Sequence, residues 1–218
     1  MDRRHTLVIF LIVFSNYLGS TIVLPTLPLY AQRHFDLSPE AISTLLASYY
    51  IAQFLAAPLI GRLSDRFGRI PVLIISQIGT VFSFVLLGYA TTVPALFAGR
   101  ILDGITGGNV IVAQAYIADI SPREKRTQSL GIVWMAFGLG YILGPAVGGV
   151  VAALLGDRAS FLAGAVISLV PMLLTWLLLE ESLTPERRLE RRTNTRRSMS
   201  VQDVLANPLL LLMLVIAF

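Results

Sequence analysis

Gly61-Arg62-Leu63-Ser64-Asp65-Arg66-Phe67-Gly68-Arg69-Ile70-Pro71-Val72-Leu73 lies between two long apolar runs, and its reading decides the fold. One acid stands among three arginines, a composition able to form a small charge network, and the two glycines permit positive φ and close backbone approach. The expectation is a tight turn joining two helices. The runs on either side, 42–59 and 71–90, are each close to the ~20 residues an α-helix needs to cross a hydrocarbon core of about 30 Å. Pro71 opens the second of them, where a missing backbone N–H costs nothing.

Four further blocks of this kind extend outward from the turn, at 7–29, 94–118, 130–155 and 159–179, and another apolar run occupies 208–218. The 218 residues are 55% hydrophobic and 14% charged, with mean hydropathy +0.74. Soluble domains average roughly 45–50% and about 25%, so the composition excludes a soluble domain, and the apolar content excludes a disordered segment. A net charge of +4 without a folded basic face gives no reason to expect nucleic acid as a partner. With no cysteine and only His5 and His34, no metal site or thiol nucleophile is expected. No block offers paired catalytic acids or a Ser–Lys or Ser–His dyad, so an enzyme is not expected. The basic start followed by an apolar run imitates a secretory signal but lacks a small-x-small cleavage site, and reads as an uncleaved first helix.

Charge sets the expected orientation. Fourteen of the seventeen basic residues fall on one side: Arg3 and Arg4, the arginines of the 61–73 segment, Arg123, Lys125 and Arg126, and six arginines between 187 and 197. Arg33 and Arg158 fall on the other, and Arg100 lies inside a block. By the positive-inside rule the N-terminus and the Arg-rich stretch after the sixth block are cytoplasmic.

The block interiors carry two signals. In the fifth, Gly140, Gly144 and Gly148 form one stripe at 100° per residue, while Gly131, Gly138 and Gly149 lie nearly opposite, so close packing is expected on both sides. Pro145 removes a hydrogen bond to the Tyr141 carbonyl and favours a kink. In the fourth, Arg100 and Asp103 are the charges placed within a membrane block, at a cost of about 2.5–3.5 kcal/mol each on insertion scales, which makes a functional role the default. Snorkelling of Arg100 to the interface is the competing reading. Gly107 and Gln114 are expected to share their face and to line a polar cavity with them. Asn16, Tyr49, Gln53, Gln114 and Tyr141 are candidate cavity contacts, although interhelical hydrogen bonding, about 0.6–2 kcal/mol in membranes, explains each equally well.

The 61–73 segment resembles the signature loop of the major facilitator superfamily, Gly-x-Leu-Ala/Ser-Asp-Arg-x-Gly-Arg-Arg/Lys-x-x-Leu, departing from it at Ile70, where a basic residue is usual. The resemblance implies a cytoplasmic gate built on Gly61, Asp65, Arg66, Gly68 and Arg69, with Asp65 as gate residue, Arg66 and Arg69 as its charge partners, and Asp119 as a further member. The fifth-block pattern of Gly131, Gly140, Gly144, Pro145, Gly148 and Gly149 resembles the antiporter motif of drug:proton exporters in that superfamily, which implies export. Gly19, Pro25 and Pro28 resemble the first-helix motif of its twelve-helix drug:proton subfamily. Leu96-x-x-x-Arg100-x-x-Asp103-Gly104 resembles the fourth-helix motif, whose arginine is associated with proton coupling, with Asp103 in place of a Gln, Thr106 of a Gly and Gly107-Gly108 of an Ala pair. The run from Gly99 to Ile120 looks most like bacterial tetracycline-type exporters.

These resemblances imply an all-α integral membrane protein: a six-helix N-terminal bundle of two inverted three-helix repeats over 1–180, a cytoplasmic Arg-rich linker over 181–207, and the start of a seventh helix at 208–218. They imply proton-coupled antiport of an amphipathic drug across the bacterial inner (plasma) membrane, driven by the proton gradient without a cofactor. The partners expected are the lipid bilayer, a small amphipathic substrate, the proton, and a second six-helix bundle absent from these residues. The alternative is a six-helix scaffold without transport activity, or a half-size transporter that self-associates.

Overall fold

In the absence of water, hydrocarbon leaves each backbone N–H and C=O to find its partner within the chain, and an apolar helix does so with local bonds alone. The computed structural model describes residues 3–107 and 109–183, and these are almost wholly helical. The helices are α1 (Arg3–Thr21), α2 (Val23–Phe35), α3 (Pro39–Phe67), α4 (Arg69–Gly88), α5 (Val93–Thr106), α6 (Asn109–Ile120), α7 (Arg126–Leu155) and α8 (Asp157–Leu178), with one 3₁₀ turn at Arg123–Lys125. They make six spans long and apolar enough to cross a membrane, because α1 with α2 and α5 with α6 each form one run. The Arg-rich stretch beyond residue 183 and the apolar run at 208–218 lie outside the described residues.

Two interruptions have local causes. Pro25 lacks the N–H that the Thr21 carbonyl would accept, and helix α1 gives way to α2 at Ile22. The Thr21 hydroxyl donates instead to the Tyr17 carbonyl at 2.7 Å and to the Gly140 carbonyl of α7 at 3.0 Å. Helix α5 ends at Thr106, where Gly107 caps it by donating its N–H to the Asp103 carbonyl at 2.7 Å. Pro145, by contrast, sits within α7, which runs unbroken from Arg126 to Leu155.

Short connections force neighbouring spans to run antiparallel. The packing has an internal symmetry. The first span packs on α7 and α8, the fourth packs on α3 and α4, and the third and sixth, α4 and α8, pack on each other. A two-fold exchange of spans one to three with four to six reproduces each of these contacts, as inverted repeats require. One apolar cluster, with Ile22, Leu27, Tyr30, Phe84, Leu96 and Phe161, closes one end of the bundle. Two smaller ones, around Ile9, Tyr116 and Val133 and around Ile60, Leu73 and Val112, close the other. Large apolar side chains such as Leu55, Ile142, Leu154 and Trp176 are exposed, the arrangement of a protein whose outer solvent is lipid.

Among the described residues the α7 glycines pack on one side of the helix only, where the sequence led us to expect two. A Cβ on Gly140 would meet Tyr17 and the Leu18 backbone, one on Gly144 would collide with Thr21, and one on Gly148 with the Ile22 carbonyl. Gly131, Gly138 and Gly149 have nothing within 4 Å of a Cβ built there. Spacing shows which glycines share a stripe, but it does not show whether a neighbouring helix exists to meet it. Gly19 likewise seats α1 on α8, where its Cβ would lie 2.7 Å from the Ser168 hydroxyl.

Gly144→Val should therefore destabilise the bundle by about 1–3 kcal/mol through overpacking. Gly131→Ala and Gly149→Ala should leave stability unchanged or raise it by up to about 1 kcal/mol. Thermal unfolding of the purified variants in detergent measures both.

Candidate functional site

A cavity of about 570 Å³ opens between the first, second, fourth and fifth spans. Its wall is aromatic and polar: Tyr17, Tyr49, Tyr50, Phe54, Phe137 and Tyr141, together with Asn16, Ser20, Thr21 and Gln53. Gln53 on α3 donates to the Gly107 carbonyl at 3.1 Å and to the Tyr49 hydroxyl at 3.3 Å, which pins the α5 end to α3. Edge-to-face contacts of Tyr17 with Phe137 (4.4 Å) and Tyr49 with Tyr50 (5.0 Å) fix the ring orientations.

Arg100 is the one charged side chain among the lining residues. It does not snorkel. The residue is 2% exposed, its Nη1 donates to Asp103 Oδ2 at 2.8 Å, and its guanidinium lies 4.3 Å from the centre of the Tyr49 ring. Arg100 Nε is buried without a hydrogen-bond acceptor. Asp103, also 2% exposed, does not line the cavity and stands behind Arg100. In a buried ion pair of this kind, loss of either partner leaves an unpaired buried charge, so each strongly specifies the other.

A second charged cluster sits where α3 meets α4. The 61–73 segment is not a loop: residues 61–67 are the last turns of α3, Gly68 alone is the connection, and Arg69 begins α4. Gly68 has φ 109°, a conformation that L side chains rarely adopt, so the turn depends on glycine there. Gly61 is helical and has open space around it, so the expected close approach is absent at that position. The one-residue turn folds Arg69 back onto α3. Its Nη2 donates to Asp65 Oδ1 at 2.7 Å, its Nε to Asp119 Oδ2 on α6 at 3.1 Å, and its Nη1 to the Ser64 hydroxyl. The guanidinium thus ties three helices while its side chain is only 4% exposed. The Arg66 guanidinium stacks over the Phe67 ring at 5.1 Å.

Asn16, Tyr49, Gln53, Tyr141 and Arg100 thus come together at one cavity, and Asp65, Arg69 and Asp119 at one cluster. Gln114 does not join the cavity. Arg100, Gly107, Val110 and Ile111 line it along one helical face, and Gln114 lies one turn beyond Val110 on that face, past the end of the lining. Ser64 and Glu181 were not read from the sequence as members of the charged cluster. A lone serine carries no signal, and Glu181 is separated from Arg69 by more than a hundred positions.

The family model of the Major Facilitator Superfamily matches residues 9–218. The tetracycline resistance protein, class C, of Escherichia coli is 40% identical over 191 residues, covering 86% of this chain and 48% of that protein. Multidrug resistance protein 2 of Bacillus subtilis (strain 168) is 31% identical over 201 residues, covering 90% and 50%. The chain spans about half the length of the curated relatives it matches. Among solved structures, the human organic anion transporter MFSD10 superimposes with TM-score 0.75 at 28% identity, over 85% of this chain and 49% of that one. The proton:xylose symporter XylE does so with TM-score 0.73 at 22% identity, over 96% and 52%, a likeness of fold.

Arg69→Ala removes the donor shared by Asp65, Asp119 and Ser64 and should cost about 1–3 kcal/mol of stability. Arg69→Lys keeps the charge without the planar fork and should fall between the two. Thermal unfolding curves of the three proteins give the order.

Proposed function

Because the chain belongs to the major facilitator superfamily, we propose that it supplies one of the two bundles of a secondary transporter that exports an amphipathic drug, such as a tetracycline, in exchange for protons. The observation that carries this reading is the buried Arg100–Asp103 pair, with Arg100 in the wall of the aromatic cavity and Asp103 behind it. The names of the Escherichia coli and Bacillus subtilis relatives support the cargo class.

In this mechanism the planar rings of the drug stack on Tyr17, Tyr49 and Phe137, and a second bundle forms the opposite wall. Asp103 takes a proton from the outer side and becomes a neutral acid. Arg100 keeps its charge but loses its anionic partner, and the cavity wall that holds the drug changes. Release of the proton toward the cytoplasm restores the ion pair. Rocking of the two bundles exposes the cavity alternately to each side of the plasma membrane, with the Arg-rich face cytoplasmic. The Asp65–Arg69–Asp119 cluster holds the cytoplasmic gate. The proton gradient is the energy source, and no cofactor takes part.

A second reading concerns the cargo alone. Arg100 is the one charged side chain among the lining residues, which favours an amphipathic organic anion, the class named for the human structural neighbour.

In everted vesicles containing the full-length transporter, an imposed pH gradient should drive tetracycline uptake, and Asp103→Asn should reduce that uptake at least tenfold. Undiminished coupling would remove Asp103 from the mechanism. If neither tetracyclines nor amphipathic cations are moved while a fluorescent organic anion is, the second reading replaces the first. Movement of none of them overturns export.

A further inference from the structure

Just past α8, residues 180–183 pack against the start of α4 and the end of α6. The Glu181 carboxylate accepts from the Arg69 backbone N–H at 2.9 Å through Oε1 and from the Ile70 N–H at 3.2 Å through Oε2. Oε1 also accepts from the Leu183 N–H at 3.1 Å. The first two donors belong to the opening turn of α4, where helical N–H groups have no partner within the helix and the macrodipole favours an anion. The hook is fastened on both sides. The Tyr116 hydroxyl of α6 donates to the Glu180 carbonyl at 3.0 Å, and Leu183 is 1% exposed. The same α4 opening presents the Arg69 side chain to Asp65 on α3 and Asp119 on α6.

We propose that Glu181 is a positioning residue of the cytoplasmic gate, holding the start of α4 so that Arg69 stays between Asp65 and Asp119. This rests on the gate role given above to that cluster, and it extends the gate to the segment that leads into the Arg-rich stretch. Displacement of that segment pulls on Glu181, and through it on Arg69.

The test needs neither a drug nor a proton gradient, so it separates this role from drug:proton exchange. The 218 residues contain no cysteine. In the full-length transporter, freed of any cysteines elsewhere, Ala57→Cys places a reporter on the cavity wall near the gate end of α3. Its labelling by a membrane-impermeant maleimide from the cytoplasmic face should be slow with Glu181 present. Labelling should speed up about threefold in Glu181→Gln, which keeps one acceptor oxygen, and about tenfold in Glu181→Ala. Asp119→Asn should speed it similarly and add little to Glu181→Ala. A control cysteine at Ser43, exposed near the opposite end of α3, should label from the outer face at one rate in all variants, which verifies the fold. Equal Ala57→Cys labelling in all three Glu181 forms, with the control intact, overturns the proposal.

Discussion

Helices in hydrocarbon gain nothing from hiding apolar side chains from one another, because lipid tails are as apolar as leucine. What remains is how closely two backbones can approach. In this bundle that approach is set by residues with little or no side chain. Gly140, Gly144 and Gly148 admit α1 against α7, Gly19 and Gly164 bring α1 and α8 together, and Gly104 sits against the Tyr49 carbonyl of α3. Buried serines and threonines along the same seams, Thr21, Thr26, Ser160 and Thr175 among them, return their hydroxyls to carbonyls or to each other. The larger apolar residues are divided between the two closed ends of the bundle and its outer surface. The middle is left open enough for a cavity.

Against that background of weak contacts, two arginines stand out by the number of groups they organise. Arg100 joins an anion and an aromatic face beside the cavity. Arg69 joins three helices through its side chain, and its backbone N–H meets a fourth segment. Both are almost fully buried, where breaking a paired charge is costly and the partner is therefore strongly specified. The first arginine lines the cavity, with Asp103 behind it. The second lies where the single residue Gly68 separates two long helices.

The six spans were legible because each is a run of apolar residues near the length a bilayer demands, a property of composition that survives errors of a few residues at either end. The Arg100–Asp103 pair was legible because charge inside such a run is rare, and a spacing of three puts both groups on one helical face. Asp65, Arg69 and Asp119 came from a resemblance and a spacing, and the structure brings them into contact. Other features depend on what lies across a gap. One stripe of α7 glycines meets α1 and the opposite one meets nothing among the described residues, although the sequence presents both alike. Gln114 lies a turn beyond Val110 and Ile111, the last residues of its helix to line the cavity, and spacing gives a helical face without giving the depth of the cavity. Glu181 was read as the beginning of a solvated linker because its partners are backbone N–H groups, which have no side-chain identity to read.

The one-residue connection at Gly68 has a mechanical side. Helix α3 has 29 residues, about 43 Å at 1.5 Å per residue. Rotation by roughly 5° about either dihedral of Gly68, with α4 held still, sweeps the far end of that rod through about 4 Å. A longer loop would absorb such a rotation in its own slack. Here the joint acts as the fulcrum of a lever with a long arm, and small angular play at Gly68 becomes side-chain-sized travel at the far end of α3. The hydrogen bonds on either side of Gly68 therefore set how stiff that fulcrum is.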